Sequence, residues 1–305
     1  MEQTEYGEED KERKKKSRKK KSWKKNTKFR GIVKIVICVV ILYVLMYGFA
    51  TVGFAVSMFF CPRRLEEITE IFGNVGIGLT ALIACLMLRS ETGERLRDAV
   101  TFKDFRISLV IAVTLAGWSL GEVCDHLMGL ILSNYMTIVP DVNSMDGIVG
   151  VISAVICAPI FEELIFRFSF MGLLKKNSGM VFTILVTTFF FAAGHFYNVQ
   201  GTGNVFMGTV LAAYVYYKTE NILYTMCEHA IHNGLCYIPL ENVKFLGADV
   251  YYEKNGFILA GWPWFLCNLV VLCLTMAWLT WFFQFSGWKR KQELKGLSDE
   301  EIFES

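Results

Sequence analysis

The chain has 305 residues, 53% of them hydrophobic, and a mean hydropathy of +0.39, which excludes an ordinary soluble globular domain. Its 31 Lys and Arg nearly balance 29 Asp and Glu. These charges gather at the two ends and in short patches between long apolar runs, the distribution that membrane-spanning helices joined by polar loops require.

The chain opens on an acidic stretch, Glu2 to Asp10, followed by 13 Lys or Arg between Lys11 and Arg30. Such a tail is expected to be solvated, disordered and attracted to anionic lipid headgroups. It holds only Trp23 and Phe29 as aromatics and leads straight into an apolar run, so a cytoplasmic topogenic anchor is favoured and no nucleic-acid partner is expected. That first run, Gly31 to Phe60, is far longer than the apolar core of a signal peptide and lacks a small-residue cleavage site.

A spanning helix needs about 20 mostly apolar residues. By that ruler the sequence predicts an all-α, polytopic transmembrane helix bundle of about eight spans: Gly31 to Phe60, Ile71 to Leu88, Ile107 to Ser133, Gly147 to Leu174, Met180 to Phe196, Asn204 to Tyr217, Ile222 to Ile238 and Trp262 to Ser286. The third is interrupted by Glu122, Asp125 and His126. An even count puts both termini on one side. The N-terminal tail, Arg89 to Arg106, Lys175, Lys176, Lys218 and Lys289 to Lys295 then share that side, which should be cytoplasmic. The expected organisation is a disordered basic tail (1–30), N-terminal spans (31–146), a core (147–239), an extracytoplasmic loop with the last span (240–286) and a cytoplasmic tail (287–305). No internal repeat supports a transporter built from paired halves. Of the nine cysteines, Cys38, Cys85, Cys157, Cys227, Cys267 and Cys273 fall in apolar segments and read as small buried hydrophobes; no CxxC pair suggests a metal or disulfide framework.

The chemistry gathers in the core. A charged side chain at membrane depth costs about 2.5 to 3.5 kcal/mol on insertion scales, so each one is a functional candidate. The fourth segment carries Glu162 and Glu163 in mid-span. Glu163 and Arg167 are four apart and can pair on one helical face, whereas Glu162 points about 100° away. Pro159 should kink the helix nearby and open room for water. A purely structural ion cluster would need one carboxylate, and the second has no structural excuse. His195 ends the fifth segment after Ala192, Ala193 and Gly194; His229 and Asn233 share a face of the seventh; His232 is turned aside and reads as a core histidine. Any one of these histidines alone would be unremarkable. Together, a carboxylate and an imidazole can deprotonate water while a second imidazole and an amide stabilise an oxyanion. By ideal rise, His195 stands about 23 Å from the start of its helix and His229 about 10 Å from the start of its own, which places them at different depths.

Glu162-Glu163-x-x-x-Arg167, Phe191-x-x-x-His195 and His229-x-x-x-Asn233 resemble, in order and spacing, the EExxxR, FxxxH and HxxxN motifs of the CAAX prenyl protease type II and bacteriocin-processing family (CPBP, or Abi) of intramembrane proteases. The resemblance covers roughly Gly147 to Pro239. It implies Glu162 as the base that activates water with His195, Glu163 and Arg167 as a supporting pair, and His229 with Asn233 as oxyanion stabilisers. It implies a peptide or lipidated peptide substrate and no obligatory metal; a zinc site on Glu162, His195 and His229 is a minority alternative. A non-catalytic binding or immunity scaffold of the same fold and a proton-coupled transporter are the competing readings. The short single-module architecture leans towards a bacterial cell membrane.

Overall fold

The computed structural model describes residues 2–103, 105–139, 147–195, 198–240 and 243–285, with the side chains of residues 2–28 excepted. The chain divides into two compact units, Met1–Val100 with Asp146–Phe190, and Thr101–Met145 with Phe191–Ser305.

In the first unit, α1 (Glu2–Phe60) and α2 (Leu65–Thr92) pack against each other. Their approach is close because glycines line it. A Cβ on Gly76 would lie 2.5 Å from the Leu45 carbonyl oxygen, and one on Gly53 would lie 2.8 Å from Phe72 Cβ. Small residues allow this contact, which substitutes for a hydrophobic driving force that lipid cannot supply. Lys34 pairs with Glu91, and Lys176 reaches Glu94 at 3.4 Å. The backbone of α1 is helical from Glu2 onward; its Lys, Arg and Glu residues are good helix formers. After the short α3 (Leu96–Ala99) the chain enters the second unit, and it returns for a composite helix. That helix consists of α5 (Gly147–Ile152), a π-helical stretch Ser153–Cys157, α6 (Ala158–Glu163), a second π-helical stretch Leu164–Met171, and α7 (Gly172–Lys175). Asn74 Nδ2 donates to Ser153 Oγ at 2.7 Å and ties α2 to the first π-helical stretch. Next, α8 (Met180–Ala193) begins in the first unit, and its Phe191 opens the remainder of the second.

The second unit is built on α4 (Ile107–Leu132), α9 (Val199–Thr219), α10 (Ile222–Leu235) and α11 (Trp262–Phe285). Leu109, Val113 and Ala116 of α4, Leu211 and Val215 of α9, Tyr224 of α10 and Phe282 of α11 form its core. Side-chain caps start two of these helices. Asn198 Oδ1 accepts from Gln200 N and Gly201 N, and Asn221 Oδ1 accepts from Leu223 N. Between α10 and α11 lie two antiparallel hairpins, β1 (Lys244–Phe245) with β2 (Ala248–Asp249), and β3 (Tyr251–Lys254) with β4 (Phe257–Ala260).

The protein is a multi-pass membrane protein, but the count of about eight spans expected from hydropathy falls to five. Among the described residues the helices long and apolar enough to cross a bilayer are Phe29–Phe60, Pro62–Thr92, Ile107–Leu132, Gly147–Lys175 and Trp262–Phe285. The three others fail for stated reasons. With 14 residues each, α8 and α10 extend about 21 Å against a hydrocarbon core of about 30 Å. The 21-residue α9 is long enough but carries Gln200, Asn204 and Lys218 among glycines and threonines. The even-count argument that put both termini on one side falls with the old number. The expected C-terminal tail lies outside the described residues.

Candidate active site

Glu162 and Glu163 end α6, a six-residue α-helical segment set between the two π-helical stretches. Pro159 explains the first stretch. Its ring has no N–H and crowds the carbonyl four residues back, at Val155, and the wider i to i+5 turn falls where that clash would. In the second stretch, Ser169 Oγ donates to the Leu164 carbonyl at 2.7 Å, five residues back. Such π-helical turns recur at functional sites because they re-aim side chains within a continuous helix.

The two adjacent carboxylates occupy different environments. Glu163 is 1% exposed and pairs with Arg167, 2% exposed, at 3.1 Å. Glu162 is only half-buried. One carboxylate is thus committed to neutralising a buried guanidinium, and its neighbour is less deeply buried.

In the second unit α8 stops at Ala193, so His195 sits in the turn beyond the helix rather than inside a span. Its Nδ1 is 2.9 Å from the Phe191 carbonyl oxygen. A carbonyl can only accept, so Nδ1 carries the hydrogen and Nε2 of the neutral ring keeps the basic lone pair. The Phe191 ring meets His195 at 4.7 Å and His229 at 5.7 Å between centroids. The two histidines therefore flank one phenylalanine, so the depth difference calculated from ideal helices does not keep them apart. His229 and Asn233 are both half-buried on α10. His232 packs on Trp118 at 5.4 Å, as a core histidine would.

Two polar features of this unit were not assigned from sequence. Glu228, next to His229, is 6% exposed. Glu122 accepts from Tyr251 Oη at 2.6 Å and from Trp264 Nε1 at 3.2 Å, while Asp125 accepts from Asn204 Nδ2 at 2.5 Å. The carboxylates that interrupt α4 were visible in the sequence, but partners 79 to 142 residues away were not. Burial pushes the Tyr251 phenol above its ordinary pKa, and the nearby Glu122 charge adds to the effect. Among the described residues no group of three or more His, Cys, Asp or Glu side chains is arranged to hold a metal ion.

Residues 144–235 match the family of type II CAAX prenyl endopeptidase Rce1-like proteins. This CAAX-endopeptidase-like segment is under a third of the chain and contains Glu162, Glu163, Arg167, His195, His229 and Asn233. The match is to the CPBP-type protease family that the three motifs resemble. No curated protein and no solved structure matches the chain significantly.

Proposed function

We propose that the protein is an intramembrane endopeptidase that hydrolyses a peptide bond in a membrane-associated peptide, prenylated or of bacteriocin type. The observation that carries this reading is the unequal fate of the paired carboxylates inside the family-matched segment, with Glu163 buried against Arg167 at 3.1 Å and Glu162 half-buried. Glu163 is engaged with a buried guanidinium, and the less deeply buried Glu162 beside it is the carboxylate assigned to chemistry. On this reading Glu162, assisted by His195, takes a proton from water as the water attacks the peptide carbonyl. His229 and Asn233 stabilise the resulting oxyanion. Collapse of the tetrahedral intermediate breaks the C–N bond, and the proton held by the base passes to the departing amine. The 13 basic residues of the N-terminal stretch favour a cytoplasmic N-terminus in contact with anionic lipids.

Purified wild type and Glu162→Gln, each incubated with fluorogenic and lipidated peptides, test this by mass spectrometry of new termini. The substitution is expected to lower the cleavage rate by about 10²- to 10⁴-fold, the range for loss of a general base. Equal cleavage by both proteins would overturn the assignment.

A further inference from the structure

Two hairpins of the second unit reverse through the same backbone conformation with different residues. The β3–β4 turn uses Asn255 (φ 53°) and Gly256 (φ 82°), and the β1–β2 turn uses Leu246 (φ 51°) and Gly247 (φ 84°). Positive φ at both central positions defines the two-residue type I′ turn, for which Asn-Gly is the favoured pair. Asn tolerates this region because its short side chain can hydrogen-bond locally; Leu has no such compensation.

The surroundings of the two turns also differ. Ile138 N donates to the Asn255 carbonyl at 3.0 Å, Asn255 Nδ2 donates to the Ser133 carbonyl at 2.7 Å, and a Cβ on Gly256 would lie 1.8 Å from the Ile138 carbonyl oxygen. That turn is packed down. Leu246, by contrast, is 82% exposed, and a Cβ on Gly247 would meet nothing within 4 Å. Neither backbone preference nor packing among the described residues accounts for a leucine at this tip.

The tip is fixed beside the end of a membrane span. Gly261 N, just before α11, donates to the Val250 carbonyl at 2.7 Å, and Val250 N donates to Val243 at 2.9 Å. The Phe245 ring packs edge-on against Trp264, in the first turn of α11, at 5.4 Å. Leu246 follows Phe245 by one Cα–Cα step of about 3.8 Å. Trp262, the first residue of α11, is 57% exposed. Tryptophans at the end of a span sit at headgroup level, so this level is also that of the hairpin.

We propose that the β1–β2 tip is a membrane-interface anchor, with Leu246 entering the boundary between headgroups and acyl chains of the bilayer that α11 crosses. An apolar side chain that is exposed to water in the isolated chain is buried there, and that gain offsets the unfavourable backbone conformation. Lys244 and Asp249, paired across the strands, stay in the polar layer above it.

The test uses the full-length protein in phosphatidylcholine and phosphatidylglycerol vesicles, with a diazirine analogue of leucine at position 246. Irradiation is expected to give lipid adducts as the main product by mass spectrometry. Adducts with water or with another protein segment as the main product would overturn the anchor. Independently, Leu246→Cys should lose labelling by a water-soluble maleimide supplied on both faces of the vesicles and recover it when the vesicles are dissolved and the protein is unfolded. Undiminished labelling in intact vesicles would overturn the proposal as well.

Discussion

Arg167 Nη1 lies 3.1 Å from Glu163 Oε1, with both side chains at 2% exposure or less and four residues apart along a helix that changes from α to π between them. Neither charge could remain so buried alone, because an uncompensated ion in the interior is far less stable than one in water. Removing one partner, as in Arg167→Met or Glu163→Leu, should destabilise by about 3 to 5 kcal/mol. The double variant should recover most of that loss. Thermal unfolding of the purified proteins in one detergent reads the comparison, and single variants that melt with the wild type would contradict it.

Close contact of α1 and α2 makes a prediction about glycine. A Cβ at Gly76 would meet the Leu45 carbonyl oxygen at 2.5 Å and Met46 Cα at 2.8 Å, whereas one at Gly48 meets nothing within 4 Å. Backbone cannot step aside as a side chain can, so Gly76→Ala should destabilise by about 1 to 3 kcal/mol, the range for overpacking. Gly48→Ala should be neutral or slightly stabilising, since alanine is the better helix former. The melting temperatures of the two variants should separate clearly.

Gln200 acts as a clasp between α9 and β4. Its Nε2 donates to the Ile258 carbonyl at 2.5 Å, its Oε1 accepts from Ile258 N at 3.0 Å, and the side chain is 6% exposed. Gln200→Leu keeps the bulk and orphans both backbone groups, each worth about 1 to 3 kcal/mol when left unsatisfied. Faster hydrogen exchange at Ile258 and its strand neighbours is expected, with the core of α4 and α11 unchanged.

Tyr251 links β3 to Glu122 of α4 through a 2.6 Å hydrogen bond in which the phenol donates. Burial, followed by the Glu122 charge, raises its pKa. A folded pKa above the unfolded value gives a contribution that is complete below the ordinary tyrosine pKa of about 10 and is lost as pH rises through the folded value. The wild type should therefore lose stability progressively as pH rises above about 10, and Tyr251→Phe, with no proton to lose at this position, should lose less. Equal alkaline loss in both proteins would show that this phenol does not drive it.

The sequence alone determined the membrane class, the family-matched segment and the Glu163–Arg167 pair. These depend on composition and on spacings within one helix, both local properties of the chain. Tertiary structure decided the rest. A hydropathy ruler registers apolar residues but not where a helix stops, so α8 and α10 passed as spans until their ends at Ala193 and Leu235 were seen. The same stop puts His195 beyond its helix, and only the folded chain shows that it shares the Phe191 ring with His229. The π-helical stretches around Glu162 leave only Pro159 as a trace in the sequence, and the partners of Glu122 lie more than 120 residues away. Periodicity reports which face of an element is apolar; which distant side chain completes a buried charge is a property of the folded chain.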